Sequence, residues 1–313
     1  MSNYKIVDAD TLDSNLKDIA DHIRTKGDTT DTLSFPQGFM DAVDAISTGG
    51  GEEVLNSLID RSITEIKANV ASVGDYAFYY CNTLTSVDLP VCISVGDYAF
   101  YYCRKLTSAD LQACTSVGSY AFNSCNSLTS VDLPVCTSVG SYAFSSCISL
   151  TSVDLQACTS VGSYAFSSCR KLTSADLQVC TSVGSYAFSS CYGLTSVDLQ
   201  ACTSVGSSAF NSCNSLTSVD LPVCTSVGSY AFYYCRKLTS LILRSESLCS
   251  LSNTNAFTTT PIASGTGYIY VPKALIDTYK TATNWVTYAN QFRALEDYTV
   301  DGTTTGALDE SKI

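Results

Sequence analysis

The feature that most constrains this chain is a 22-residue period that runs through most of its 313 residues. The decapeptide SVGSYAFSSC occurs three times without change, starting at Ser138, Ser160 and Ser182. Eight phenylalanines, from Phe78 to Phe232, follow the same step. Self-similarity at a period of roughly 20–50 residues is typical of chains that stack identical structural units. The period therefore predicts a solenoid rather than a globular domain.

The order of apolar residues within one unit predicts a short strand. In LTSVDL, from Leu128 to Leu133, they occupy the first, fourth and sixth positions, and the last three residues alternate between interior and exterior. Each unit is expected to lay its strand about 4.8 Å from the previous one in a parallel sheet. A glycine, Gly140 in this unit, is expected to mark the turn that reverses the chain. One coil cannot bury its own apolar face, so stability is expected from stacking.

The predicted fold class is an α/β repeat. It is a leucine-rich-repeat solenoid of about eight 22-residue coils with a parallel β-sheet. A small helical N-terminal module and an α/β C-terminal cap are expected at its two ends, because open ends of a solenoid must be covered. The predicted boundaries are 1–47 for a helical attachment module, 48–56 for a Gly-rich linker, 57–243 for the solenoid, 244–297 for the cap and 298–313 for a flexible tail.

The segments LTSVDLP and TSVGSYAFSSC resemble the BspA-type bacterial leucine-rich repeat, over about residues 63–243. Members of that family are typically surface or secreted interaction proteins, often adhesins, so the resemblance implies a binding function. The chain departs from the family pattern in two ways. Its start, MSNYKIVDAD, has no signal-peptide character, so ordinary secretion is not expected. It also carries a second cysteine column at Cys92, Cys114, Cys136, Cys158, Cys180, Cys202 and Cys224.

Two end segments carry further predictions. The N-terminal residues resemble segments of tail-associated proteins of phages and prophages, and an ordinary helical hairpin is the alternative. In the cap, YIYVP predicts a strand that closes the sheet, followed by a helix through about Lys280. A second helix is expected near Trp285, the only tryptophan of the chain, which would plug the last open coil.

The sixteen cysteines do not have the spacing of a disulfide scaffold or a zinc site. Fifteen recur every 11 residues from Cys81 to Cys235, and Cys249 lies outside the series. Disulfide scaffolds are short and loop-rich, and zinc sites require C-x-x-C pairs or nearby histidines, whereas this chain has one histidine, His22. The strict period predicts buried, reduced thiols that fill a recurring structural position. Disulfides and metal binding are the alternatives.

Charge and motifs exclude several function classes. The net charge of −12 opposes phosphate backbones and anionic lipid, so neither nucleic acid nor membrane insertion is expected. No P-loop, G-x-S-x-G, H-E-x-x-H or G-x-G-x-x-G motif occurs, and we expect no enzyme activity, cofactor or metal. An outward aspartate column is expected to be a solvating stripe, with weak cation binding as the alternative: Asp88, Asp110, Asp132, Asp154, Asp176, Asp198 and Asp220.

Variation between units predicts where a ligand would bind. The two residues after each phenylalanine change from unit to unit, as do the two after the next cysteine, and they use mainly Tyr, Ser, Asn, Arg and Lys. Rigid aromatics beside adaptable polar residues are typical of binding loops. Neutral drift and block duplication are the alternatives. The predicted ligand-binding residues are Tyr79, Tyr80, Tyr101, Tyr102, Arg104, Lys105, Arg170, Lys171, Tyr192, Tyr233, Tyr234, Arg236 and Lys237.

These observations predict a non-enzymatic binding or adhesion protein. The favoured hypothesis is a phage or prophage tail-associated protein, located in the virion or in the cytoplasm before release. Its solenoid would contact a host surface protein or glycan, and residues 1–47 would contact other virion proteins. The alternatives are a BspA-type adhesin at the cell surface and a structural spacer without a ligand of its own.

Overall fold

A computed structural model describes residues 61–297 of the chain. These residues wind into stacked coils followed by a C-terminal cap. The predicted helical module at 1–47, the linker at 48–56 and the tail at 298–313 lie outside the described residues. None of the helices within 61–297 is long and apolar enough to cross a membrane.

Two ladders of short parallel strands run along the solenoid, and with strands numbered in chain order they alternate. The odd-numbered strands come from the LTSVDL segment or the segment in the equivalent place, and they confirm the predicted parallel strands. Their pairing is interrupted between β9 and β11 and between β13 and β15. They are β1 (Glu65–Lys67), β3 (Ser86–Asp88), β5 (Ser108–Asp110), β7 (Ser130–Asp132), β9 (Ser152–Val153), β11 (Ser174–Asp176), β13 (Ser196–Asp198), β15 (Ser218–Leu221) and β17 (Ser240–Leu243). The first step is 21 residues, because Ile66 pairs with Val87, and the next is 22, because Val87 pairs with Ala109.

The even-numbered strands form a second ladder that the sequence analysis did not predict. From β2 to β16 each is the two-residue segment before the glycine, and β18 precedes Ser252 instead; together they make one continuous nine-stranded sheet. In β8 the valine, Val139, fills the interior, while the serine before it faces outward. The strands are β2 (Ser72–Val73), β4 (Ser94–Val95), β6 (Ser116–Val117), β8 (Ser138–Val139), β10 (Ser160–Val161), β12 (Ser182–Val183), β14 (Ser204–Val205), β16 (Ser226–Val227) and β18 (Ser250–Leu251).

The turn after each glycine supplies a third set of bonds between coils. Every second residue donates its N–H to the next coil: Tyr98 to Ser119 O at 2.9 Å and Phe100 to Ala121 O at 2.7 Å. The first and last residues of the turn have left-handed backbones, with φ of 56° at Tyr98 and 60° at Tyr102. Such conformations in non-glycine residues persist only where surrounding bonds hold them. The coil-to-coil bonds provide that constraint.

The repeated glycine is required by close stacking rather than by a left-handed turn. A Cβ added to Gly140 would lie 2.6 Å from the carbonyl carbon of Gly118 in the preceding coil. Among the described glycines the left-handed φ belongs to Gly265, in the cap, at 86°. The position was correctly predicted to border a turn, but the absence of a Cβ matters because two backbones approach each other there.

The core consists of columns in which like residues stack on like. The phenylalanine rings are parallel and 5.0–5.5 Å apart from Phe78 to Phe257. The same ring stacking thus continues beyond residue 243, where the sequence analysis had placed the end of the repeats. Leucine, valine, alanine and cysteine columns fill the remaining interior.

All sixteen cysteines are buried free thiols, as the period predicts. In one column the thiol donates to a carbonyl of the preceding coil, as Cys125 Sγ does to Phe100 O at 3.1 Å. In the other it donates within its own coil, as Cys136 Sγ does to Ser138 O at 3.3 Å. A thiol is a small apolar group that is also a weak donor. Cysteine therefore fills the available space and gives a buried carbonyl a partner.

The cap closes the last coil as predicted, with one additional strand. β19 (Tyr268–Val271) pairs in parallel with β17 and with β20 (Phe292–Ala294), which the sequence analysis did not predict. Trp285 is fully buried, and its indole Nε1 donates to Cys249 O at 2.6 Å. The helices are α1 (Pro261–Ser264), α2 (Ile276–Thr281) and 3-10 turns at Thr254–Phe257, Lys273–Leu275, Trp285–Gln291 and Leu295–Asp297.

Candidate binding surface

A column of stacked tyrosines runs along the turn side of the solenoid. Six rings are nearly parallel, with centroids 4.5–4.8 Å apart: Tyr76, Tyr98, Tyr120, Tyr142, Tyr164 and Tyr186. These residues are not among the ligand-binding residues predicted from the sequence. The available signal was a tyrosine two positions after the repeated glycine in every unit except the one with Ser208, although the interior of each unit already contains a phenylalanine. We call this set the tyrosine column.

The predicted tyrosine pairs join this column at its N-terminal end. Tyr79 stacks on Tyr101 at 5.1 Å, and Tyr80 stacks on Tyr102 at 4.8 Å. Sideways contacts connect the rows, since Tyr101 lies 5.4 Å from Tyr98 with its ring edge-on. The resulting N-terminal tyrosine surface comprises Tyr76, Tyr79, Tyr80, Tyr98, Tyr101, Tyr102 and Tyr120.

Arginines lie over the outer rings of this surface. The Arg104 guanidinium is 4.8 Å from the centroid of Tyr102, and that of Arg61 is 6.0 Å from the centroid of Tyr79. Such cation–π contacts hold a flexible side chain against the ring face. Arg61 precedes the regular units and was not predicted. Lys105 is exposed beside Arg104.

The remaining predicted residues form two further groups rather than one continuous edge. Near the C-terminal end, Tyr233 contacts Tyr234 at 4.5 Å, and Arg236 lies 5.4 Å from the Tyr234 ring, with Lys237 exposed next to it. In the middle of the solenoid, Arg170 lies 5.8 Å from the ring of Tyr192. Lys171 is exposed next to Arg170.

Three phenols of the N-terminal tyrosine surface, those of Tyr79, Tyr98 and Tyr101, have a pKa above the ordinary tyrosine value. Burial raises the pKa of Tyr79 and of Tyr101, and neighbouring tyrosines raise it further because adjacent phenolates repel each other. Burial also raises the pKa of Tyr98. A protonated phenol both donates and accepts a hydrogen bond. The surface therefore combines apolar ring area with neutral polar groups.

The stacking determines which part of each tyrosine ring is accessible to a ligand. Within the column each interior ring has a parallel neighbour on both faces, as Tyr120 has at 4.7 Å and 4.5 Å. Those faces are covered, so ring edges and hydroxyl groups point to solvent. Free ring faces occur only where a row ends.

The predicted aspartate column lies on a different face, along the first strand ladder. A shallow groove of about 690 Å³ follows β3 to β11 and is lined by their serines and aspartates. Ion pairs lie at the two ends of the aspartate column, Lys67 with Asp88 at 2.7 Å and Arg244 with Asp220 at 2.8 Å. Within 61–297 no group of three or more His, Cys, Asp or Glu side chains is placed to hold a metal ion. The solvating role of the column stays a prediction.

The repeats of the solenoid match a known protein family. The model of the BspA type leucine rich repeat region, which itself spans six copies of the repeat, matches residues 57–173 and again residues 137–263. The chain belongs to this family of leucine-rich-repeat proteins. A comparison with curated proteins finds no match.

Several solved structures of bacterial leucine-rich-repeat proteins are similar to this chain. One from Bacteroides ovatus is 21% identical with a TM-score of 0.48, over 69% of this chain and 64% of that one. One from T. pallidum is 30% identical with a TM-score of 0.44, over 47% and 72%. A leucine rich cell surface protein from Faecalibacterium prausnitzii is 18% identical with a TM-score of 0.36, over 73% and 82%. This chain thus matches less than two thirds of the Bacteroides ovatus protein.

Proposed function

We propose that this chain is a non-enzymatic binding protein that contacts a surface protein or a glycan through the N-terminal tyrosine surface. The observation that carries the proposal is the joining of seven tyrosines, ring to ring, on adjacent coils, with arginines over the outer rings. Tyrosine offers a large contact area with little conformational entropy to lose, and tyrosine and arginine dominate binding hot spots.

The tyrosine pairs are not needed by the fold, which favours binding over a spacer role. Ser146 and Ser168 occupy the position of Tyr102 in later coils with the same left-handed backbone, at φ of 63° and 64° against 60°. The same coil-to-coil hydrogen bond is present, since Ser146 N donates to Ser167 O at 2.8 Å. A spacer could use serine at every coil. Tyrosine at this end is therefore best explained by a ligand.

The thiols support a non-catalytic role. Burial raises the pKa of Cys81 to about 11 and that of Cys191 to about 12. Nucleophilic cysteines are thiolates in partly exposed, electropositive surroundings. The thiols of this solenoid have the opposite environment and serve the core.

The proposed location is the bacterial cell surface, as in the adhesin hypothesis. It is supported by membership of the BspA-type family, whose members are typically surface interaction proteins. The phage-tail hypothesis rests on residues 1–47, which lie outside the described residues, and it stays a prediction. Binding of residues 1–47 to other virion proteins likewise stays a prediction.

The test is a pair of serine substitutions in the full chain. Tyr101→Ser with Tyr102→Ser introduces residues that later coils hold at equivalent positions, so folding is expected to be retained. Binding to cultured mammalian cells and to a glycan array is expected to fall at least about fivefold, because each hot-spot aromatic contributes about 1–2 kcal/mol or more. Asp154→Asn, in the aspartate column along the first strand ladder, is the matched control.

Two results would contradict the proposal. If Asp154→Asn lost binding while the tyrosine variant kept it, the ligand would lie in the sheet groove. If wild type bound neither cells nor glycans, the spacer hypothesis would be favoured.

A further inference from the structure

The tyrosine column lacks one ring. It runs without interruption to Tyr186 and resumes at Tyr230, and the coil between them has Ser208 in that position. The backbone is unchanged there, since φ is 56° at Ser208 against 59° and 57° at the two tyrosines. The Ser208 N–H also makes the usual bond to the next coil, to Ser229 O at 2.8 Å. Only the phenol is missing.

The missing phenol uncovers the ring faces on either side. Interior rings of the column are half-buried, whereas Tyr186 and Tyr230 are 36% and 40% exposed. Tyr76, the first ring of the column within the described residues, is similarly 41% exposed. Two strand spacings, about 9.6 Å, separate the positions of Tyr186 and Tyr230. Ser208 itself is 3% exposed, so solvent barely reaches the serine at the base of this interval. We call the interval between the Tyr186 and Tyr230 rings the recess.

Both sides of the recess are held in place. Tyr186 stacks on Tyr164 at 4.5 Å. The Tyr230 hydroxyl accepts a hydrogen bond from Asn255 Nδ2 at 3.1 Å, and Tyr233 packs against the Tyr230 ring at 5.5 Å and 81°. Packing and hydrogen bonding therefore restrict both rings before a ligand arrives. A preorganised site loses less entropy on binding.

We propose that this recess binds one aromatic side chain of a partner polypeptide, inserted between Tyr186 and Tyr230. The chain itself indicates the occupant, because the same position elsewhere holds a phenol between two phenols. Tyr142, for example, lies 4.5 Å from the rings of both neighbours. An incoming tyrosine ring would enter from solvent with its hydroxyl toward Ser208, the reverse of the column's own phenols, and it would again have a ring on each face. Offset-stacked rings at such distances attract each other.

The recess is separate from the N-terminal tyrosine surface. That surface ends at Tyr120, and three further rings of the column, at Tyr142, Tyr164 and Tyr186, follow before the recess. The two sites can therefore be tested independently. If the Tyr101 and Tyr102 substitutions did not reduce cell binding, the proposal for the recess would be unaffected. If the recess did not bind an aromatic side chain, the proposed function of the N-terminal tyrosine surface would be unaffected.

Ser208→Tyr and Ser208→Asn make a matched pair for the test. Ser208→Tyr fills the recess with the chain's own phenol, whereas Ser208→Asn keeps it open, and asparagine tolerates a left-handed backbone. The probe is N-acetyl-L-tyrosine amide at millimolar concentration, observed by saturation-transfer NMR with the full chain. Wild type and Ser208→Asn are expected to saturate the probe's ring protons, and Ser208→Tyr to reduce that signal at least threefold.

Other outcomes would overturn the proposal. The first is that wild type gives no signal, and the second is that Ser208→Tyr leaves the signal unchanged. A third outcome is a signal from methyl glucopyranoside that Ser208→Tyr removes, which would make the recess a sugar site. Folding of each variant is checked by circular dichroism. If Ser208→Tyr does not fold, Tyr186→Ser removes one side of the recess on a backbone that accepts serine, and an unchanged signal there would also overturn the proposal.

Discussion

Replacing one phenylalanine in the middle of the stack tests how the solenoid is stabilised. Phe166 is fully buried and stacks on Phe144 and Phe188, each at 5.2 Å. Phe78 has one stacked phenylalanine, Phe100, among the described residues. Phe→Ala in a core costs about 3–5 kcal/mol, and an aromatic pair contributes about 0.5–1.5 kcal/mol beyond buried area. Phe166→Ala is therefore expected to cost about 0.5–1.5 kcal/mol more than Phe78→Ala.

Urea unfolding followed by circular dichroism measures this difference. Phe166→Leu is the matched control, since it keeps most of the buried apolar area but removes both ring pairs, and it should cost about 1–3 kcal/mol. A long repeat array can unfold in more than one step, so the midpoint of each transition is compared. Equal losses at Phe166 and Phe78 would refute nearest-neighbour stacking as the source of stability.

Three further predictions concern the cysteines, the glycines and the incomplete tyrosine column. Burial raises the pKa of most of the cysteines, to about 11 at Cys81 and about 12 at Cys191, whereas unfolded cysteines ionise near about 8.5. The urea midpoint should therefore be constant below about pH 8 and fall as pH rises above it, and a flat profile up to pH 10 would contradict the burial of the thiols. Gly140→Ala should destabilise by about 1–3 kcal/mol or more in the same assay, because its Cβ would lie 2.6 Å from the carbonyl carbon of Gly118; no loss would mean that the coils can separate there. Ser208→Tyr should stabilise by about 1–3 kcal/mol through two new ring pairs, seen as a higher melting temperature, and a lower melting temperature would show that the ring does not fit.

Much of the fold was predictable because its signals are local. The alternation in Val131-Asp132-Leu133 marks an inward and outward strand, and the structure has β7 at Ser130–Asp132 with Val131 buried. The columns of phenylalanine and cysteine follow from the period, since a residue that recurs every 22 positions returns to the same place in each coil. The single tryptophan was identified as the plug because it lies in the C-terminal segment that leaves the period.

The candidate surface was only partly predictable. Variation between units identified Tyr101 and Tyr102, because a changing residue is visible within one chain. The tyrosine column was missed because it is nearly invariant, and an invariant residue in a repeat suggests packing. The reason for the glycines was also missed, since a sequence cannot distinguish a left-handed turn from a close approach of two backbones.

The amino-acid sequence by itself determined that this chain is a solenoid of 22-residue coils and which residues face its interior, because both follow from period and alternation along the chain. Only the tertiary structure decided what each outward residue contacts. Tyr98 and Tyr120 are 22 positions apart in sequence, yet their rings lie 4.7 Å apart and cover each other's faces. The spacing between coils therefore makes a continuous aromatic column out of separate tyrosines, and it makes a recess where Ser208 interrupts them.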